Sequence, residues 1–482
     1  MAALGHAPFH LWYVAFAGFA AVFWAVSQAG SRGHAFRLGW LAGVAYFAVA
    51  LHWIVEPFLV DAATHGWMAP GALVLLAGGL ALFWGLAGWS AYLVVGRSTS
   101  RAAFSFAVTL VACELLRGHA FTGFPWATPA YIWTETPVRM ASAYLGTYGL
   151  TFATLLCAAS VATARTRRLN GAVALVAIVA LFGAGQFRTT DGSVQTELGR
   201  VGIVHPNVPQ TEKWVRTEVP EHIDRMLTLT RSLAEPDEDV DMIVWPEVSV
   251  VYPLDTAGPV LTAASAAAQE IPVMLGINRR EDEDWYNALI ELDGDGSVVE
   301  TYDKVHLVPF GEYIPFRLGF LRAMAATSSN GFSAGEAVRL LDTPLGKALP
   351  LICYEGIFPG HVFQAKARAD YILLVTNDAW FGTFAGPFQH LDQARFRAAE
   401  QGLPVVRAAN AGVSTVIDRY GNYSQSLGLN DIGSLSQPVV TGPPTLYART
   451  GDLPLYILLV LTLGALTMTK SRNSVAKQSS SV

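Results

Sequence analysis

Charge is scarce in this sequence. Asp, Glu, Lys and Arg make up 15% of its 482 residues, against about 25% in soluble domains, and the mean hydropathy is +0.36. A chain so poor in charge is expected to keep part of its length in lipid. Basic blocks are absent and the formal net charge is -6, which argues against a nucleic-acid partner. Cysteine is rare as well. Cys113, Cys157 and Cys353 lie far apart, two of them in apolar stretches, so neither a disulfide framework nor a Cys-rich zinc site is expected. The histidines are scattered, with no HExxH and no close pair backed by carboxylates, and no metal is expected. No Lys or Arg precedes the first apolar segment, which argues against a signal peptide.

What fills the chain up to residue 187 is a series of apolar segments at 9–26, 38–55, 71–95, 103–116, 140–162 and 171–187. Most approach the roughly 20 residues that a helix needs to cross a bilayer; the segment 103–116 is short and carries Glu114. The loops alternate in charge. Arg32 and Arg37 follow the first segment, Arg97 and Arg101 the third, and Arg165, Arg167 and Arg168 the fifth, whereas the loop with Glu56 and Asp61 has neither Lys nor Arg. The long loop 117–139 is mixed, with Phe124, Pro125, Trp126 and Trp133 suited to an interface. By the positive-inside rule the Arg-rich loops are cytoplasmic, which puts the N-terminus and the chain after Phe187 outside. A final apolar run at 453–468, followed by Lys470, Arg472 and Lys477, returns the chain to the inside. The domains expected are a transmembrane helical domain over 1–187, an α/β domain over 188–450, one helix over 451–470 and a Ser-rich disordered tail over 471–482.

From Arg188 the composition is that of a soluble α/β domain. Buried strands are expected at 201–204, 241–245, 272–276, 349–353, 371–375 and 405–408, and helices at 221–233 and near 259–270. Residues 287–292 and 298–302 alternate around Asp293-Gly-Asp-Gly296, which predicts a hairpin. The acidic stretch 281–284 reads as a solvated loop. Strands alternating with helices predict a layered α/β fold.

Three residues of this half have flanks that suit chemistry. Leu349-Pro-Leu-Ile-Cys353 is an apolar run broken at once by Tyr354, Glu355 and Gly356, so a strand ending in a sharp turn would hold the sulfur at the rim of a sheet. An inert core cysteine has similar flanks. Trp245-Pro-Glu247 ends another buried run in a carboxylate, where burial raises a pKa towards general-base range; an ordinary edge carboxylate reads alike. Lys304, among apolar and aromatic neighbours, is either a snorkelling lysine or a fixed cation for a developing oxyanion. Together, a cysteine nucleophile, a glutamate base and a lysine cation are what acyl transfer through a thioester requires.

The order Glu247, Lys304, Cys353, in the contexts WPE, YDKVHLVPFGEYIP and LICYEGIFP, resembles the nitrilase superfamily of carbon–nitrogen hydrolases. That resemblance implies an αββα sandwich and a Glu–Lys–Cys triad. With apolar spans before and after, the whole chain is similar to the apolipoprotein N-acyltransferase family. Gly123-Phe-Pro-Trp126, Pro209-Gln-Thr-Glu-Lys-Trp214, Thr376-Asn-Asp-Ala-Trp-Phe-Gly382 and Arg407-Ala-Ala-Asn-Ala-Gly-Val-Ser414 match it too. The fold class expected is therefore a multi-span α-helical membrane domain plus an α/β nitrilase-like αββα sandwich.

Carried over by position, the resemblance makes Cys353 the nucleophile, Glu247 the base and Lys304 the oxyanion cation. Glu312 becomes a second carboxylate that positions Lys304 or the thiol. Tyr354 and Glu355 shape the pocket, with the Tyr354 amide an oxyanion donor, and Trp214 lies on a mobile segment over the lipid entrance, where a plain surface aromatic would look the same. The activity implied moves an acyl chain from a membrane phospholipid, without a cofactor, to the diacylglyceryl-cysteine of an apolipoprotein. The setting implied is a bacterial inner membrane, with the catalytic domain facing the periplasm. Relatives in that family usually begin with another apolar segment before the stretch matching Ala7-Pro8-Phe9, and Met1–His6 is too short to supply it; either there is one span fewer or the start lies upstream. Two rivals fit less well. A membrane-anchored amidase needs only one anchor, and a transporter or scaffold with an inactive domain has no use for Glu247, Lys304, Cys353 and Glu312 together.

Overall fold

A computed structural model describes residues 1–96, 99–190, 192–314 and 331–479, with 99–100 and 469–479 as backbone alone. Arg97, Pro315, residues 480–482 and the side chains of Lys470, Arg472 and Lys477 lie outside the described residues. The chain divides into two compact units: residues 1–55, 68–191 and 445–482 form one, and residues 56–67 with 192–444 form the other. The loop 56–67, which falls between two apolar segments, thus groups with the α/β unit.

The first unit is a bundle of apolar helices. Each of the six expected segments is helical, at Trp12–Ser27, Arg32–Ala50, Ala69–Val95, Thr99–His119, Ser142–Thr163 and Arg168–Thr189. Among the described residues, Ala62–Val95, Arg101–His119, Pro137–Thr163 and Arg168–Thr189 are long and apolar enough to cross a membrane. Arg32–Ala50 with His52–Leu59 makes a fifth if the two count as one broken span; Trp12–Ser27 and Leu453–Met468 are shorter. Along Arg168–Thr189, Leu169, Val173, Leu175, Val176 and Val179 are all exposed, an apolar face suited to lipid rather than water.

Glu114 does not end its helix early, because its charge is matched. It pairs with Arg117 one turn on and accepts a hydrogen bond from Trp84 Nε1 at 2.8 Å. A lone charge at such a buried place would be costly. Arg117 also donates to the carbonyl oxygens of Phe124 and, at 2.9 Å, Trp126, which fixes the Gly123-Phe-Pro-Trp126 loop. The final helix corrects the expectation of a disordered tail: it runs from Leu453 to Ser479, and no Gly or Pro after Met468 interrupts it.

The strands of the second unit are, in chain order, β1 (Thr196–His205), β2 (Met242–Val244), β3 (Val273–Glu281), β4 (Asp284–Leu292), β5 (Val298–Asp303), β6 (Leu341–Thr343), β7 (Gly346–Ile352), β8 (Tyr371–Asn377), β9 (Val405–Asn410), β10 (Thr415–Ile417) and β11 (Gly433–Thr441). They make two sheets, ordered β11-β1-β2-β3-β4-β5 and β10-β9-β8-β7-β6. The central strands β1–β3 and β7–β9 are parallel and the outer ones antiparallel. Val201, Ile203, Val244 and Met274 of one sheet pack with Leu373, Val375 and Val406 of the other. The remaining faces are covered by helices. Val219–Leu233 and Gly258–Ala268 share a core with Ile243, Trp245 and Leu275, and Gly386–Gln401 shares one with Leu349, Leu351 and Leu374. The layers are αββα. Parallel strands covered on both faces read as continuous apolar runs, which is why their positions match expectation.

Candidate active site

The carboxyl ends of β2, β5, β7 and β8 converge on one cluster of charge. Glu247 follows β2 and is buried. Its Oε1 accepts from Asn287 Nδ2 at 2.8 Å, and its Oε2 from the Asn377 main-chain N–H at 2.7 Å. Lys304 is the first residue after β5, held there by its N–H to Asn287 O at 2.9 Å. Its ammonium lies 2.9 Å from Glu312 Oε1 and 3.8 Å from Glu247 Oε1, and the side chain is 1% exposed. Burial works against its charge, but Glu312 and then Glu247 outweigh it and hold the Lys304 pKa above the ordinary lysine range. Glu312 is fixed in turn: Oε1 also accepts from Asn287 Nδ2 at 3.1 Å, and Oε2 from the Val308 N–H at 2.8 Å.

Cys353 opens a short 3-10 turn, Cys353–Ile357, at the end of β7, with φ +50. That left-handed conformation is uncommon for a residue with a Cβ and marks a sharp turn at the strand end. Burial pushes the thiol pKa well up, Glu247 adds to this, and Lys304 works against it.

Glu355, expected to shape the pocket, is fully buried. Its Oε2 accepts from the Ile352 N–H at 2.8 Å; its Oε1 accepts from the Val305 N–H at 2.8 Å, the His306 N–H at 3.0 Å and Tyr302 OH at 3.0 Å. One carboxylate thus ties the turn carrying Cys353 to the chain just after Lys304. Tyr354 is buried with its ring against His306 and Phe358. Trp214 is 52% exposed on the turn that follows Pro209.

Several residues of the site carry no signal of their own in the sequence. Asn287 bridges the two carboxylates. Asn377 joins Glu247 to the 208–214 segment, since its Nδ2 donates to Gln210 Oε1 at 2.8 Å and its Oδ1 accepts from Asn410 Nδ2 at 2.9 Å. Lys213 is buried and donates to the Glu247 carbonyl oxygen at 3.2 Å; burial brings its pKa down to about 8 despite the opposing pull of Glu247 and Cys353. Gly276 sits where a Cβ would come within 2.5 Å of the Val248 nitrogen, so only glycine lets β3 pass this close to the residues after Glu247. The shared signal was there in the motifs: Lys213 and Asn377 lie inside the PQTEKW and TNDAWFG stretches.

Comparison with known proteins extends this picture to the whole chain. Residues 1–160 match the apolipoprotein N-acyltransferase N-terminal domain, and residues 200–435 match the carbon-nitrogen hydrolase family. An apolipoprotein N-acyltransferase of Rhodopseudomonas palustris is 36% identical over 96% of this chain and 92% of its own. One of Bradyrhizobium diazoefficiens is 35% identical with the same coverage. Among solved structures, an amidase from Nesterenkonia sp. aligns with 55% of this chain and 97% of its own at 18% identity and a TM-score of 0.38. The first two similarities run through the helical and the α/β units alike, and the chain belongs to the apolipoprotein N-acyltransferase family.

Proposed function

We propose that the protein transfers a fatty acyl chain from a membrane phospholipid, through a thioester on Cys353, to the α-amino group of the N-terminal diacylglyceryl-cysteine of apolipoproteins. The observation that carries this reading is similarity to apolipoprotein N-acyltransferases over 96% of the chain, helical half included. A soluble-amide hydrolase would have no need of that half.

Glu247, Lys304 and Cys353 take the parts of base, oxyanion cation and nucleophile. The thiol hands its proton to the Glu247 carboxylate as sulfur attacks the ester carbonyl carbon of the donor. Negative charge that develops on the carbonyl oxygen is met by Lys304, whose ammonium Glu312 keeps charged and in place. Collapse breaks the ester C–O bond, and Glu247 returns the proton to the departing alkoxide, which leaves as a lysophospholipid. In the second half the acceptor amine attacks the thioester, Glu247 takes its proton, and the thiolate leaves and is reprotonated. Ester and thioester are close in energy, whereas the amide lies well below both, so the second half drives transfer. Water has to be kept from the thioester meanwhile, and the half-exposed Phe384 and the Trp380 turn are suited to shielding it with lipid. The purified protein in detergent, given phospholipid and a diacylglyceryl-cysteine peptide, is expected to N-acylate the peptide. A peptide left unmodified while an added soluble amide is hydrolysed would overturn the proposal in favour of an amidase.

The same reading puts the α/β unit on the outer face of an inner membrane, supported by the Arg-rich loops after the first, third and fifth apolar segments. A reporter fused after Thr190 is then active only outside the cytoplasm, and one fused after Lys470 only inside. Two reporters marking the same side would remove Leu453–Met468 as a span.

A further inference from the structure

The segment that carries Trp214 also carries a buried cation to which the mechanism above gives no part. Lys213 is 4% exposed, and a lysine is rarely buried so far without a carboxylate to pair with. Here the one hydrogen-bond partner of its ammonium among the described residues is neutral: the Glu247 main-chain carbonyl oxygen, at 3.2 Å. That oxygen belongs to the peptide that joins the base to Val248, and Val248 holds φ +44. A β-branched residue in the left-handed region is an outlier, and it persists only where its surroundings hold it there. From β3, the Gly276 carbonyl oxygen accepts from the Val250 N–H at 3.3 Å and from Ser249 Oγ at 3.1 Å. From the 208–214 segment, Lys213 takes the carbonyl just before the turn.

The same segment reaches the other end of Glu247 as well. Glu247 Oε2 accepts from the Asn377 N–H, and Asn377 Nδ2 donates to Gln210 Oε1. A turn from Pro209 then brings Lys213 round, with the Lys213 N–H on the Pro209 carbonyl oxygen at 3.0 Å. Asn410 fixes the start of the segment by pairing with both the N–H and the carbonyl oxygen of Val208, at 2.8 and 3.0 Å. The path from the carboxylate through Asn377, Gln210 and Lys213 back to the Glu247 carbonyl is a closed ring around the base. We propose that Lys213 is a positioning residue for Glu247: its ammonium closes the ring and holds the 247–248 peptide in the turn that aims the carboxylate. An ammonium suits the task, because a hydrogen bond from a charged donor is stronger than a neutral one. In this role Lys213 neither takes a proton nor meets the substrate.

This inference rests on Glu247 being the base and Cys353 the nucleophile, yet it is tested without phospholipid. The probe is p-nitrophenyl butyrate, mixed in excess with the full chain in detergent at neutral pH. Sulfur bonds to the ester carbonyl carbon, the thiol proton passes to Glu247, and the C–O bond breaks to release p-nitrophenolate, which needs no proton to leave. The burst of release therefore reads the step in which the base acts. Lys213→Met keeps the length of the side chain and removes the donor. It is expected to slow the burst by about 10- to 10²-fold, the range for a lost hydrogen bond from a charged group, with the ester concentration at half-maximal rate unchanged. Glu247→Gln slows the burst too, and adding Lys213→Met to it is expected to lower the rate no further, because no base is left to aim. Equal losses in both backgrounds would overturn the proposal, since Lys213 would then act without Glu247. A burst unchanged by Lys213→Met would overturn it as well. If Lys213→Met does not fold, Gln210→Ala opens the ring at a half-buried residue and carries the same expectations in both backgrounds. A loss confined to the Glu247 background, in a protein that acylates no lipopeptide, supports Lys213 and counts only against the transferase reading.

Discussion

Cys353→Ala is expected to take up no acyl group and to acylate no acceptor, while folding and inserting as the wild type does. The wild-type protein mixed with phospholipid alone should gain the mass of one acyl chain and release one lysophospholipid. The adduct should be cleaved by neutral hydroxylamine, as thioesters are, and should vanish when the lipidated acceptor peptide is added. These expectations follow from a buried thiol at a strand end beside Glu247 and Lys304. Cys353→Ser is the sharper control. A serine hydroxyl is far harder to deprotonate than a thiol, and His390 faces the Cys353 carbonyl oxygen rather than the side chain. The serine variant should therefore lose turnover almost as completely as alanine. An adduct that maps to Cys113 or Cys157, or acceptor acylation by Cys353→Ala, would sink the thioester mechanism. Both other cysteines are buried in the helical unit.

The fold was legible wherever burial is uniform. β8 is buried at every residue, and its first five, Tyr371–Val375, are an unbroken apolar run; the buried stretches 201–204 of β1 and 348–352 of β7 carry no polar side chain either. Where only one side of a strand needs an apolar residue, the signal fades. β11 carries Ser434, Ser436, Gln437 and Pro438 and was not foreseen as a strand. It lies at the edge of its sheet with Pro438 opposite Arg200, where a missing N–H is tolerated. The hairpin was visible because its turn is made locally: Asp293 Oδ1 accepts from the Asp295 and Ser297 N–H groups, and Gly296 takes φ +79.

The site was legible in its charged members and opaque in its neutral ones. Glu247, Lys304 and Glu312 interrupt apolar surroundings, and the structure brings the Lys304 ammonium within ion-pair distance of both carboxylates. Asn287 and Asn377, which orient those charges, are ordinary polar residues in sequence. Their roles arise from pairing between strands that are remote along the chain. The hydrogen-bonded set Asp378, His390 and Arg407 is hidden for the same reason, since its members come from the turn after β8, a helix and β9. Glu355, expected from the motif to shape the pocket, accepts four hydrogen bonds that tie the turn after β7 to the chain at the end of β5, a role that no local pattern in the sequence displays.

Lys304→Arg should lower acyl transfer by about 10²-fold or more, the typical loss when one oxyanion donor goes. The reason is shape rather than charge. The Lys304 ammonium is a compact group 1% exposed, 2.9 Å from Glu312 and 3.8 Å from Glu247, and it has to leave room for a substrate oxygen. A planar guanidinium binds a carboxylate through two parallel N–H groups, so arginine would lock onto Glu312 or Glu247 and turn away from the developing oxyanion. If arginine captures Glu247, the base is lost as well, and the rate of adduct formation on Cys353 should fall with overall turnover. The measurement is therefore single-turnover acylation of Cys353 alongside peptide acylation, in protein shown by its thermal midpoint to be folded. Loss of both rates together places Lys304 at the reacting centre. Near-normal transfer by a well-folded Lys304→Arg protein would reduce the residue to a buried counter-ion for Glu312 and leave the oxyanion to backbone donors.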